Sequence, residues 1–139
     1  MPYLSNEECL ELLKQYDVEC KIKERKDDAI AMVSLKREKE IGSIVLFGTG
    51  GPLRNELKDL SFRRIPAERA ELETMVKETR IYQMFIETKD RMLEKIIDIL
   101  TNLVKLLEDD FRITSIVIDS LILSSNPYAE DVKIEVRDL

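Results

Sequence analysis

The sequence predicts an α+β fold, a mixed and mostly antiparallel sheet with helices packed on one face. Three observations carry that prediction. Thr88 to Glu108 is an amphipathic run in which Met92/Leu93, Ile96/Ile97, Leu100, Leu103/Val104 and Leu107 recur at three- and four-residue spacing. Apolar, β-prone runs stand apart from it at Ala29–Leu35, Ser43–Phe47, Ile113–Leu123 and Val132–Val136. The connections between neighbouring strand runs are short and hairpin-like, which favours antiparallel pairing, and the two long helices then cover one sheet face.

Each element has a local reason. Ser5 is an N-cap with Glu8 three residues on, a capping-box spacing, and Leu10, Leu12, Leu13 and Tyr16 continue that helix. Asp17–Ile22 is a strand candidate and Lys23–Asp28 a charged turn. A second strand, Glu56–Leu60, is expected to flank the glycine turn that follows Phe47. Pro66 is placed in the first turn of a helix over Ala67–Thr79, where a missing N–H costs little. Asn126-Pro127 punctuates the turn between the last two strands. The whole chain, 1–139, reads as one domain, with 1–28 an opening helix and strand and 29–139 the core.

Composition excludes several functions. With 139 residues, 44% apolar and 36% charged, the chain fits one globular domain, large enough to bury roughly 68% of its unfolded surface. A net charge of −6 argues against general nucleic-acid binding, which needs a basic face. Lys21–Lys26 and Arg63-Arg64 are basic clusters, but acidic neighbours make them solvated faces. No stretch approaches the ~20 apolar residues of a membrane span. The start, MPYLSNEECLE, has neither a basic region nor an apolar run, so no secretory signal is expected and the protein is placed in the cytoplasm. Cys9 and Cys20 have no histidines beside them, so they make no zinc motif; free buried thiols are the default, with a disulfide open. The chain has no histidine and thus no imidazole for acid–base work.

The stretch GSIVLFGTGGPLRNELKDLSFRRIP, residues 42–66, carries the most specific signal. Gly48-Thr49-Gly50-Gly51 permits φ > 0 at consecutive positions and can aim backbone N–H groups at a phosphate. Alone, such a turn is more often a plain hairpin. The whole run resembles the C-terminal part of the ATP-grasp domain of ADP-forming acetyl-CoA (acyl-CoA) synthetases. In that family a strand and a Lys-Arg pair precede a glycine, an apolar strand, a G-x-G-G turn and an L-K-D-x-x-F-R-x-x-P segment. Here these are Ala29–Leu35, Lys36-Arg37, Gly42, Ile44–Phe47, Gly48–Gly51, and Leu57-Lys58-Asp59 through Phe62-Arg63 to Pro66. Met75, Tyr82 and Ile134-Glu135-Val136-Arg137 fall at further family positions, and residues 4–20 resemble the stretch that opens the family's domain.

The resemblance implies ATP or ADP with Mg²⁺, clamped between two subdomains of which this chain carries one. Between the opening helix and Ala29 only Lys21–Asp28 stands where the family has a nucleotide-binding subdomain. The implied nucleotide-binding residues are Gly48, Gly50, Gly51, Lys58 and Arg63. The implied metal positions are Asn55, where the family has a glutamate, and Val117 and Asp119 in place of the acid and amide of a D-x-N-P-L strand. Magnesium wants hard oxygen ligands, usually with one or two carboxylates, and of that set only Asp119 is a carboxylate. Glu56, next to Asn55, is expected on the opposite face of a strand. The family relays phosphate through histidine, which this chain lacks, so no residue is assigned a catalytic role. Asp119 interrupts an apolar run; besides a remnant ligand it reads as a strand residue paired to Lys58, Arg63 or Arg137.

The expected function is a non-catalytic ATP-grasp-like module acting in binding or assembly. The alternative is a subunit of a split ATP-dependent acyl-CoA ligase whose nucleotide-binding half lies on another chain. The expected partner is a second copy, as a homo-oligomer (a dimer), or a chain that supplies the missing half.

Overall fold

The computed structural model describes residues 3–20, 29–40, 42–85, 92–124 and 126–137. In chain order these form α1 (Asn6–Gln15), β1 (Ala29–Glu38), β2 (Gly42–Thr49), a 3-10 turn (Gly51–Leu53), α2 (Arg54–Leu57), β3 (Leu60–Ile65), α3 (Arg69–Lys77), α4 (Arg80–Phe85), α5 (Met92–Asp109), β4 (Ile113–Leu123) and β5 (Tyr128–Val136). The five strands make one sheet in the order β3-β2-β1-β4-β5, and every pairing in it is antiparallel. Among the described residues the lone parallel contact is an isolated bridge between Cys20 and Ala129.

Alternation along the strands separates the two faces. Ala31, Val33 and Leu35 of β1, Val45 and Phe47 of β2, and Ile116 and Ile118 of β4 are fully buried beneath the helices. The amphipathic run becomes α5, whose Ile96, Leu100, Leu103 and Leu107 lie in the same core; each such side chain contributes about 1.5–3 kcal/mol of apolar burial. Helix α1 starts as its capping box requires: Ser5 Oγ accepts from Glu8 N–H at 3.2 Å and Glu8 Oε1 from Ser5 N–H at 2.9 Å.

Arg37 ties these layers together. Its guanidinium donates from Nε to Ile113 O at 2.6 Å, and from Nη2 to Leu107 O and to Asp110 O, the latter at 3.1 Å. A cation thus satisfies orphan carbonyls at the C-terminal end of α5 while anchoring the entry to β4.

Several boundaries differ from the sequence expectation. Glu56–Leu60 is not a strand: residues 51–57 are helical, and the strand beside β2 is Leu60–Ile65. Asn55 and Glu56 therefore do not alternate across a sheet; Pro52 and the short polar segment after it wind instead. Of the four residues Gly48–Gly51 only Gly51 has positive φ, at 63°. Pro66 lies before the N-cap of α3 rather than in its first turn, because β3 runs to Ile65 and the chain bends at Pro66 to reach a cap at Glu68. Asp17 turns with a positive φ of 58°, and among the described residues 17–20 only Cys20 makes a bridge; residues 21 and 22 of the expected strand lie outside the described residues. The expected Lys23–Asp28 turn, the Lys21–Lys26 cluster and the start of the run at Thr88 lie outside the described residues. Cys9 and Cys20 are free thiols. No helix among the described residues is long and apolar enough to cross a membrane.

Candidate functional site

The sheet face opposite the four longer helices is open, and three of the positions singled out by the sequence, Gly50, Gly51 and Asp119, gather at one end of it. There the 3-10 turn and α2 fold back over β1 and β4. A side chain at Gly51 would meet Ile30, the first open-face residue of β1. The register between β1 and β4 shifts here: Ala31 pairs with Leu121 and Val33 with Ile118, so Asp119 and Ser120 together oppose Met32. That β-bulge re-aims the Asp119 carboxylate.

Arg54 meets it. Its Nη2 donates to Asp119 O at 3.1 Å and stands 3.4 Å from Asp119 Oδ1. The sequence suggested Lys58, Arg63 or Arg137 as partners; the structure pairs Asp119 with Arg54 instead, since winding of residues 51–57 swings Arg54 over the bulge. Both side chains keep more than a third of their surface in water, so this pair contributes about 0–1 kcal/mol.

The glycine turn is packed rather than open. Thr49 N–H donates to Asp59 O at 3.0 Å and Gly50 N–H to Ile30 O at 2.9 Å. A Cβ on Gly48 would stand 1.9 Å from Asp59 O; one on Gly50 would stand 2.7 Å from Ala31 O and 3.0 Å from Asp119 O. Glycine is required at both positions for close backbone approach. Gly50 and Asp119 are therefore neighbours, as a shared site requires.

The remaining positions are dispersed. Lys58 is exposed at the end of α2, in a left-handed conformation with φ 46°. Arg63 lies on the helix-bearing face, where its Nη2 donates to Glu78 Oε2 at 2.8 Å. Asn55 lies within α2. That Arg63 contact, with Ser61 Oγ donating to Glu78 Oε1 at 2.7 Å, holds the Glu78 carboxyl below its usual range.

The donors present do not fit a magnesium centre. Val117 is apolar, Asn55 is a neutral amide, and the Asp119 carboxylate shares its space with a guanidinium. Among the described residues no group of three or more acidic, cysteine or histidine side chains is placed to hold a metal ion.

The rest of the open face has two characters. Over β2 and β3 it is apolar, with Ile44 and Leu46 half-buried and Leu60 and Phe62 exposed by 58% and 59%. Over β1, β4 and β5 lies a hollow of about 420 Å³ lined by Tyr3, Ser34, Lys36, Val117, Lys133 and Glu135 among others. Sequence reasoning missed Arg54 and the structural role of Asp59. The L-K-D motif marked Asp59, but nothing local shows that its partners lie in α4 and β2.

The sequence profile of the ATP-grasp domain matches residues 19–136. The acetate–CoA ligase (ADP-forming) I of Archaeoglobus fulgidus is 40% identical over 53 residues, which cover 38% of this chain and 8% of that enzyme. Its counterpart II from the same organism is 38% identical over an equally long stretch. Among solved structures, acetyl-coenzyme A synthetase 1 of Ca. Korarchaeum cryptofilum, in complex with coenzyme A and Mg-AMPPCP, superposes with a TM-score of 0.66. It is 24% identical, over 81% of this chain and 55% of that one. A Pyrococcus horikoshii protein superposes with a TM-score of 0.68 at 19% identity, over 84% of this chain and 52% of that one. The chain thus spans about half the length of the solved chains it matches and a small part of the curated ligases. It belongs to the ATP-grasp domain family, in the form carried by ADP-forming acyl-CoA synthetases.

Proposed function

We propose that this chain is a non-catalytic ATP-grasp-like module whose open sheet face serves binding or assembly. The Arg54–Asp119 contact carries the reading. The one carboxylate retained at the family's metal positions is shared with a cation, and the other two positions of that set are an amide and a valine in the sequence. A site so composed offers Mg²⁺ a single carboxylate that a guanidinium already engages.

Calorimetric titration with Mg-ATP, Mg-ADP and coenzyme A tests it. The expected result is no saturable, magnesium-dependent heat at millimolar ligand, in wild type or in Arg54→Ala. Magnesium-dependent binding that disappears in Asp119→Ala overturns it. That outcome supports a second reading, a subunit of a split ATP-dependent acyl-CoA ligase. The half-length coverage of the solved relatives favours this second reading. In it Gly48, Gly50, Gly51, Lys58 and Arg63 serve ATP or ADP, Asn55 and Asp119 serve the metal, and a partner chain supplies the nucleotide-binding half.

A further inference from the structure

We infer that the open sheet face is covered by a second copy of this chain, the two sheets packing face to face about a two-fold axis that runs along β1. The inference rests on the assembly reading above and names its partner. Its basis is the register of the sheet. One row across the open face runs Phe62–Leu46–Ser34–Val117–Lys133, and the next runs Arg64–Ile44–Lys36–Ser115–Glu135. β1 is the central strand, so a two-fold axis along it lays β3 of one copy over β5 of the other without changing the row.

Two complementary contacts follow, each made twice. Arg64, exposed at one end of its row, comes over Glu135 at the other end. Glu135 is already oriented, because its Oε1 accepts from Thr114 Oγ1 at 2.9 Å. Phe62, 59% exposed, comes over the hollow beside Val117 and Lys133. The hollow has room for its ring, and Lys133 stands where an ammonium can face that ring. On the axis itself Ser34 meets Ser34. Lys36 also meets its copy there, and each Lys36 is partly neutralised by its own Glu38 at 3.2 Å.

The size suits a weak, reversible dimer. Strands about 4.8 Å apart make the face about 24 Å wide, and the six residues of β3 at about 3.4 Å each make it about 20 Å long. Such an area on each copy gives a total of about 960 Å², below the about 1,200 Å² of specific stable interfaces and in the range of weak, reversible ones. Two sheets packed this way align within about 30° and bury both inner faces.

Sedimentation equilibrium of the purified chain tests the inference, with circular dichroism to verify that each variant is folded. The expected result is a reversible dimer. Phe62→Asp shifts it to monomer, and Arg64→Glu and Glu135→Arg each raise the dissociation constant about tenfold or more. The doubly swapped variant, Arg64→Glu with Glu135→Arg, returns to within about threefold of wild type, because the two positions face each other. A chain that stays monomeric at every soluble concentration overturns the inference, as does a dimer indifferent to Phe62→Asp and to the charge swap. A monomer that binds no nucleotide overturns the dimer alone. A monomer that binds Mg-ATP saturably overturns the assembly reading as well.

Discussion

The Thr49 hydroxyl donates to Asp59 Oδ2 at 2.8 Å, and the same carboxylate caps α4. Oδ2 accepts from Ile81 N–H and Oδ1 from Arg80 N–H, each at 2.9 Å. One aspartate thereby fixes the end of β2, the start of β3 and the entry to α4, three segments that no local turn connects. Thr49 is 1% exposed, so its hydroxyl needs this partner. The acid of the L-K-D motif is therefore structural in this chain.

Asp59→Ala removes the cap and strands the Thr49 hydroxyl. We expect a loss of about 2–3 kcal/mol in urea unfolding, combining a lost cap with a buried unsatisfied group. Asp59→Asn, with its amide oxygen in the place of Oδ2, keeps an acceptor for two of the three donors and should recover part of that loss. Equal stability of wild type and Asp59→Ala would remove the carboxylate from this role.

Alanine at the glycine turn should be costly for reasons unrelated to any ligand. Gly48→Ala forces a Cβ against the Asp59 carbonyl and Gly50→Ala against Ala31, both immobile backbone. Each should destabilise by about 1–3 kcal/mol or more, Gly48→Ala the most. Gly51→Ala meets the side chain of Ile30 at a φ of 63° and should cost about 1–2 kcal/mol. The midpoints of urea unfolding for the three variants check this order. A loss of ligand affinity in Gly48→Ala or Gly50→Ala is thus read only beside its unfolding curve.

Much of the fold was legible because its signals are periodic and local. The apolar stripe of α5 and the apolar runs of β1, β2, β4 and β5 each dictate a buried face within their own segment. The Ser5–Glu8 cap spans four residues and was visible for the same reason. Residues 51–57 were misread because two turns of helix are too short to show a period, and the glycines before them mimic a hairpin. The site was less legible still. Arg54 and Asp119 lie 65 residues apart, and Arg37 is 70 residues from the Leu107 carbonyl that it caps. Such partners are set by sheet order and by a bulge, neither of which leaves a mark on the sequence near them.

Arg37 should not tolerate lysine. Its planar fork serves three carbonyls at once, from α5, from the loop after it and from β4. An ammonium reaches at most part of that set. Arg37→Lys should cost about 1–3 kcal/mol and Arg37→Met more, since the carbonyls then lose every charged donor. Denaturant titration gives both values, and amide exchange near the end of α5 should accelerate in the same order.

Lys58 offers an opposite case, a substitution that stabilises. It follows α2 with φ 46°, a left-handed conformation that suits glycine, and its amide closes the turn onto Arg54 O at 3.1 Å. Lys58→Gly should gain up to about 1 kcal/mol by relieving the Cβ crowding. A lower thermal midpoint for Lys58→Gly would show instead that its side chain contributes more than its backbone costs.

The Arg63–Glu78 pair predicts an acid-dependent component of stability. The bond from Arg63 is the main cause of the lowered Glu78 pKa, followed by that from Ser61. In the unfolded chain Glu78 returns to a value of about 4.3. On acidification the unfolded state therefore takes up this proton first. The stabilisation is fully present above the unfolded value and is lost as pH falls through the lower, folded one. The comparison to make is wild type against Glu78→Gln, by urea unfolding at several values between about pH 6 and pH 3. The advantage of wild type should be constant at the upper end, shrink below about pH 4.3 and vanish once both states are protonated. High salt should reduce it throughout, because the pair lies at the surface. An advantage that persists unchanged to the acid end would assign the effect to packing of the side chain rather than to its charge.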